Sequence, residues 1–297
     1  MKKIKTAIIG LDTSHSIQFT MRAQAPECEK DQKVEGLEII SCMRFETPFQ
    51  DKKGLDERTA QLEGWGVKVY EDFDKAVEGA EALLLEVNDP SLHVEYFEKA
   101  AKLGLPMFLD KPLADTMENG LAIKELSEKY NVRMFSASSL RFIRNMKEAV
   151  DSVKDIQCAS VFGPLGIAAA GESVVWYGVH AFEMLQRMMG CGAAEVSVVK
   201  DDKGVVVVVK YSDGRRGVVE LAEGAFVYGG SVRSNDDKQV FIADMTYAYK
   251  GLLERIVSFF KGGPAPMEFE DTLEIMNLLD ATVKSMKSGK SEKLMKY

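Results

Sequence analysis

Four short stretches of this 297-residue chain carry residue types that could do chemistry. The first is TAIIGLDTSHSIQF, residues 6–19, where an apolar run breaks at Gly10 and Asp12, Thr13, Ser14 and His15 follow. A strand that turns into a helix at such a point offers free helix amides to a phosphate, and G-x-G-x-x-G is the sequence form that lets a dinucleotide approach. Here Gly10 keeps the first glycine, while Asp12 and His15 occupy the second and third positions. Asp12 adds both a Cβ and a negative charge where two phosphate charges would sit, so weak dinucleotide binding is expected. The same residues have a second use: Asp12, Thr13 or Ser14 caps the helix.

The second stretch ends the run LEIISCM with Arg44. An acid at that place holds the adenine ribose of NAD, whereas an arginine either meets a 2'-phosphate, favouring NADP, or is a solvated surface charge. The third runs from Asn88 to His93 and on to Asp110, Lys111 and Pro112, residues that follow apolar runs and so fall where an open α/β sheet binds ligands. A lysine desolvated there can hydrogen-bond an alcohol or relay its proton. The fourth, WYGVHAFE, holds Trp176, His180 and Glu183. His180 is a candidate general base, because imidazole titrates near neutral pH, and Trp176 offers a face that a sugar ring accepts. Alternatively both pack a domain junction. A metal set of Asp12, His15 and His180 shows no ligand-spacing signature, so no metal site is expected.

The elements that must position these residues follow from the pattern. Apolar runs alternate with amphipathic stretches: IKTAIIG, LEIISCM, VKVY, AEALLLEV, PMFLD and VRMFSAS read as strands, with helices over residues 14–25, 51–64, 91–103 and 117–130 between them. This rhythm predicts βαβ units and a doubly wound parallel sheet over residues 1–137. Residues 138–297 change character. IQCASVFG, AEVSVVKD, GVVVVVKYSDGRRGVVELA, AFVYGGSVRS and KQVFIAD read as a mostly antiparallel open sheet, with a helix over 179–189. Closing helices over 251–261 and 271–287 are expected to pack back towards the first domain. The fold class is α/β followed by α+β.

Composition narrows the partners. A formal charge of −8 and a pI near 5.2 disfavour nucleic acid and anionic membrane surfaces. The four cysteines, Cys28, Cys42, Cys158 and Cys191, lie far apart with no C-x-x-C spacing, which suits a reducing cytoplasm. No apolar run reaches the length of a membrane helix. The segment VVVVVK has an apolar face to bury, and a homodimer or larger homo-oligomer is expected.

The stretch NDPSLHVEYFEKAAKLGLPMFLDKPLADT, residues 88–116, resembles the Gfo/Idh/MocA family, which includes glucose-fructose oxidoreductase and inositol dehydrogenase. There a similar loop, helix and strand lead into an E-K-P motif, matched here by Asp110, Lys111 and Pro112. SSLRFIRNMKEAV, with Arg141, resembles the family's R-F segment, and FEDTLEIMNLLDATVKSMKSGKSEKL its closing helix. The resemblance implies a Rossmann-like first domain and NAD or NADP as cofactor, held by Gly10, Asp12, Thr13, Ser14, His15, Arg44, Asn88, His93 and Asp110. It also implies that Lys111 lies beside the nicotinamide and the substrate hydroxyl. The family's D-x-G-x-H-x-x-D element is matched at Gly178 and His180, with Glu183 for the last acid and Trp176 for the first. By this resemblance Lys111 and His180 are catalytic, Arg141, Trp176 and Glu183 join them around a small sugar or polyol, and Lys111 and His180 face one cleft. Two readings compete: an NAD(P)-dependent oxidoreductase acting on a sugar or polyol-like alcohol, and a non-catalytic or non-redox small-molecule binder of the same fold. A third, an assembly protein, would work through the open sheet.

Overall fold

The computed structural model describes residues 2–224 and 226–297; Met1 and Ala225, the latter at the head of the strand-like stretch 225–234, lie outside the described residues. The chain divides into two compact units, one of Met1–Ala114, Glu118–Ser136 and Tyr249–Glu268, the other of Asp115–Met117, Ala137–Ala248 and Phe269–Tyr297.

In the first unit the strands β1 (Ile4–Ile9), β2 (Leu37–Met43), β3 (Lys68–Tyr70), β4 (Ala82–Leu85), β5 (Met107–Leu109) and β6 (Met134–Ser136) form one sheet in the order β3-β2-β1-β4-β5-β6. Every pairing in it is parallel. Ala7, Ile8, Ile9, Leu83, Leu84, Leu85, Met107, Phe108 and Leu109 are fully buried, as strands covered on both faces must be. Between the strands run α1 (Ser14–Gln24), α2 (Lys52–Gly64), α3 (Phe73–Val77), α4 (His93–Ala101) and α5 (Met117–Lys129). Thr13 starts α1 as its cap, and the helix stops at Ala25, whose extended backbone is what a following proline, Pro26, demands. The chain reverses direction across the sheet between β3 and β4. That opens the crevice beyond the carboxyl ends of β1 and β4, where such sheets take ligands.

The second unit is built on a seven-stranded sheet. A 3-10 turn (Ser139–Phe142) and α6 (Arg144–Ser152) precede β7 (Cys158–Pro164), α7 (Ser173–Trp176) and α8 (Val179–Met189). Then come β8 (Ala193–Lys200), β9 (Gly204–Tyr211), β10 (Arg216–Ala222), β11 (Gly229–Arg233) and β12 (Lys238–Ile242). After α9 (Ala248–Phe260), most of which belongs to the first unit, α10 (Phe269–Ser288) and the two-residue β13 (Glu292–Lys293) end the chain. The strand order is β12-β11-β7-β10-β9-β8-β13. All neighbours are antiparallel except β7 and β10, which the intervening α7, α8, β8 and β9 allow to run parallel. Gly214, at φ +91°, makes the tight turn between β9 and β10. The valine run alternates as a one-faced strand should: Val205, Val207 and Val209 are buried, whereas Val206 is 39% exposed. Among the described residues no helix is long and apolar enough to cross a membrane.

Candidate functional site

The turn after β1 shows what the altered glycine pattern does. Gly10 has φ +103°, and a Cβ on it would stand 2.5 Å from the Glu86 carbonyl oxygen, so the close approach of this turn to β4 admits only glycine. Of the three candidate caps the helix uses Thr13, whose hydroxyl accepts from the His15 amide at 3.3 Å. Ser14 is exposed. Asp12 turns inward: one carboxylate oxygen accepts from the Asn88 amide at 2.9 Å and the other from the Thr47 hydroxyl at 2.8 Å. Burial raises its pKa, while the bonds from Asn88 and Thr47 pull the other way. The Arg58 guanidinium donates to the adjacent Leu11 carbonyl at 2.8 Å. Asp12 is thus a brace that ties together the loops following β1, β2 and β4.

Two more expected cofactor residues are also held by the protein itself. Arg44, at the end of β2, donates to the Thr59 hydroxyl at 3.0 Å and pairs with Asp56 at 2.8 Å. It borders a surface cavity of about 470 Å³ lined also by Tyr70, Asp72 and Lys75. His93, at the start of α4, is fully buried, with Nε2 2.7 Å from the Val87 carbonyl and Nδ1 3.1 Å from that of Leu113. Both ring nitrogens face main chain. His93 therefore links the loop after β4 to the loop that carries Asp110 and Lys111, and acts on any ligand through those loops.

His15, Glu86 and Asp110 converge at the carboxyl ends of β1, β4 and β5. His15 Nδ1 lies 2.8 Å from Asp110 Oδ2 and 4.0 Å from Glu86 Oε2, and all three side chains are buried. The ring sits between Phe19, at 5.6 Å, and Tyr249, edge-on at 5.2 Å. Although burial alone would raise the Asp110 pKa, the neighbouring His15 and Lys111 hold it down at about 2. For Glu86 the balance falls the other way: burial first, and the Asp110 charge next, push its pKa well above the usual carboxylate range against the opposing pull of Lys111. Lys111 follows, 6% exposed, with its ammonium 4.0 Å from Asp110 Oδ2. The peptide bond from Lys111 to Pro112 is cis.

The second unit holds its own polar chain. Ser138 Oγ lies 2.6 Å from His180 Nδ1, and the Ser138 amide donates to Glu183 at 3.0 Å. Glu183 in turn meets Arg141 at 3.4 Å, and Arg141 meets Asp271 at 3.6 Å. Burial raises the Glu183 pKa to about 7 against the opposing pull of Arg141. His180 stands edge-on to Tyr177 at 5.4 Å and to Tyr228 at 5.9 Å, and Trp176 packs on Tyr177 at 5.1 Å. Arg141 and Glu183, expected at the substrate, are buried partners of one another and orient His180 through Ser138.

Sequence reasoning missed Glu86, Ser138, Thr47 and Asp271. Glu86 had a signal, a lone acid directly after the fully apolar ALLL of β4. The other three had none, since each acts by meeting a group distant in sequence.

The sequence profile of the Gfo/Idh/MocA oxidoreductases, a family with an NAD-binding Rossmann fold, matches residues 53–138. The rhizopine catabolism protein MocA of Rhizobium meliloti is 26% identical over 188 residues, 54% of this chain. Over these stretches the chain is similar to the Gfo/Idh/MocA family. The matched stretch spans 58% of that relative's length. Among solved structures, GenD2 from gentamicin A biosynthesis, in complex with NAD, superposes with a TM-score of 0.82 at 12% identity, covering 100% of this chain and 98% of that one. A myo-inositol dehydrogenase from Corynebacterium glutamicum superposes with a TM-score of 0.81 at 14% identity, covering 100% of both chains. At these identities the likeness establishes the fold alone: a Rossmann-like parallel sheet followed by a mostly antiparallel mixed sheet.

Proposed function

We propose that this chain is a member of the Gfo/Idh/MocA family and an NAD(P)-dependent oxidoreductase acting on an alcohol group of a sugar or polyol. The observation that carries the reading is Lys111, a buried ammonium directly after β5 in the D-K-P motif, whose contact with Asp110 is a long 4.0 Å. Such a group keeps donors for a ligand hydroxyl. The first unit fits a dinucleotide in three respects: Gly10 holds the close turn, the α1 amides follow it, and the Asp12 carboxylate is spent on Asn88 and Thr47. Arg44 and Lys75 beside the 470 Å³ cavity suit a 2'-phosphate, provided Arg44 exchanges its Asp56 partner for it.

A bound nicotinamide dinucleotide would supply the acceptor for the hydride that leaves the alcohol carbon. Lys111 hydrogen-bonds the alcohol oxygen and favours its developing negative charge. His180, oriented by Ser138, takes the hydroxyl proton, which leaves a carbonyl product. Trp176 supplies an apolar face for the ring of the substrate. The outward residues Val199, Val240 and Ile242 of the second sheet, each more than half exposed, support the expected homodimer.

The related myo-inositol dehydrogenase makes inositols and similar polyols the first compounds to assay. Reduction of NAD and NADP, followed by absorbance with a panel of inositols and sugars, tests the reading. Lys111→Met is expected to lower kcat at least about a hundredfold. Turnover unaffected by Lys111→Met rejects its role. Trp176 in place of an acid favours the second reading, a non-redox binder; polyol binding with no turnover in either cofactor would establish it.

A further inference from the structure

The buried groups at the carboxyl ends of β1, β4 and β5 have a use that dinucleotide binding leaves unexplained. We propose that His15, Glu86 and Asp110 form a binding site for one divalent transition-metal ion. Its donors are set by the fold whether or not a nicotinamide dinucleotide binds.

The donor atoms are already gathered. His15 Nδ1 and one carboxylate oxygen from each acid all lie within 4.8 Å of one another. The measured separations of 2.8 Å and 4.0 Å from Nδ1 bracket the roughly 3.0–3.5 Å that divides neighbouring ligands around an ion with bonds of about 2.1 Å.

The second observation is unsatisfied polarity. All four carboxylate oxygens of Glu86 and Asp110, and His15 Nδ1 itself, are buried without an aligned hydrogen bond. The 2.8 Å approach of the ring to Asp110 is close but misdirected. Folded proteins satisfy nearly all such atoms, and two buried carboxylates this close are costly unless a cation joins them. Lys111 acts on both acids but pairs within 4.0 Å with Asp110, and among the described residues the one ion pair of Glu86 within that distance is with the His15 ring.

The supports are rigid. The Glu86 amide donates to the Ile9 carbonyl at 2.7 Å and the Asp110 amide to the Leu85 carbonyl at 2.9 Å, so both acids extend from paired strands. The imidazole is held between Phe19 and Tyr249. One nitrogen and two carboxylates suit Zn²⁺, Mn²⁺, Fe²⁺ or Co²⁺ better than Ca²⁺ or Mg²⁺, which prefer all-oxygen sets. With α1 supplying the histidine and the sheet the acids, the ion would clamp helix to sheet. The set differs from the Asp12, His15 and His180 grouping considered from the sequence, because Asp12 is committed to Asn88 and Thr47.

Co²⁺ titration of the chelator-treated full-length protein, followed by visible ligand-field absorption and by the thermal unfolding midpoint, tests the proposal. The expected result is one Co²⁺ per chain, displaced by Zn²⁺, with a raised midpoint. Glu86→Gln keeps the shape and removes a buried acid, so it is expected to fold at least as well as the metal-free parent. It should nevertheless lose about a hundredfold or more in Co²⁺ affinity, and with it the midpoint shift. Absence of binding by the folded parent at millimolar Co²⁺, or equal binding by Glu86→Gln, would overturn the site. NADH binding is read separately in both proteins, so a failure here leaves the cofactor reading standing.

Discussion

Replacing Asp12 by asparagine and by alanine separates the two things its carboxylate does, accepting hydrogen bonds and carrying charge. Alanine leaves the Asn88 amide and the Thr47 hydroxyl without the acceptor that holds them at 2.9 Å and 2.8 Å. Two lost bonds at a site 1% exposed cost about 2–4 kcal/mol, since each is worth about 1–2 after the burial penalty on the charge is returned. Asparagine keeps an acceptor for Asn88 and removes a charge whose burial is unfavourable, so its expected cost is within about 1 kcal/mol. Either variant relieves the repulsion of a dinucleotide. A charge about 7 Å from a phosphate at an effective dielectric near 20 opposes binding by about 2 kcal/mol. Arg58, which senses the Asp12 charge, offsets roughly half, leaving about 1 kcal/mol, or about fivefold in affinity. Urea unfolding and NADPH titration of both variants supply the readouts. An alanine variant as stable as the parent would refute the brace. An asparagine variant that binds NADPH no better would refute the electrostatic argument.

Gly10→Ala places a methyl 2.5 Å from a backbone oxygen at φ +103°, and is expected to destabilise the first unit by several kcal/mol and to abolish NADH binding in whatever remains folded; unimpaired binding contradicts the assigned turn. The Glu183 pKa of about 7 stands above its usual 4.5, so the native state retains a proton that the unfolded chain releases. Stability therefore falls as pH rises from about 4.5 to 7. Relative to the parent, Glu183→Gln should gain about 2.5 kcal/mol between pH 5 and pH 8 in urea unfolding, and a pH-independent difference would reject the shift. Arg44→Ala should erase any preference for NADPH over NADH while costing under about 1 kcal/mol of stability, because Asp56 is half exposed; a retained preference assigns the 2'-phosphate elsewhere.

The first sheet was legible because β1, β4 and β5 are short, wholly apolar and spaced by helices. The alternation in Val205–Val209 likewise announces a one-faced strand. By contrast, β13 and α7 carry too few residues for a period to register, and the parallel pairing of β7 with β10 is a matter of topology that alternation does not encode. At the site, the D-K-P stretch and His180 stood out by type. The direction of Asp12 did not, because it is set by Thr47 and Asn88, 35 and 76 residues away. Thr13 could not be chosen over Asp12 as cap for the same reason. Glu183 and Arg141 read as ligand-facing charges; their burial, their pairing with one another and the bond from the Ser138 amide to Glu183 depend on groups distant in sequence that the pattern does not show. The acid at Glu86 was visible in the sequence, and only the pairing of β4 with β1 and β5 gave it a meaning.

The central claim is that the first unit binds a nicotinamide dinucleotide at the Gly10 turn. Titration of the full-length protein with NADH and NADPH, read by the fluorescence of the reduced nicotinamide, tests it most directly. The account predicts saturable binding of one molecule per chain, with a dissociation constant of roughly a hundred micromolar, about −5.5 kcal/mol, tightened by Asp12→Asn. Folded protein that shows no saturation with either cofactor at millimolar concentration would contradict it.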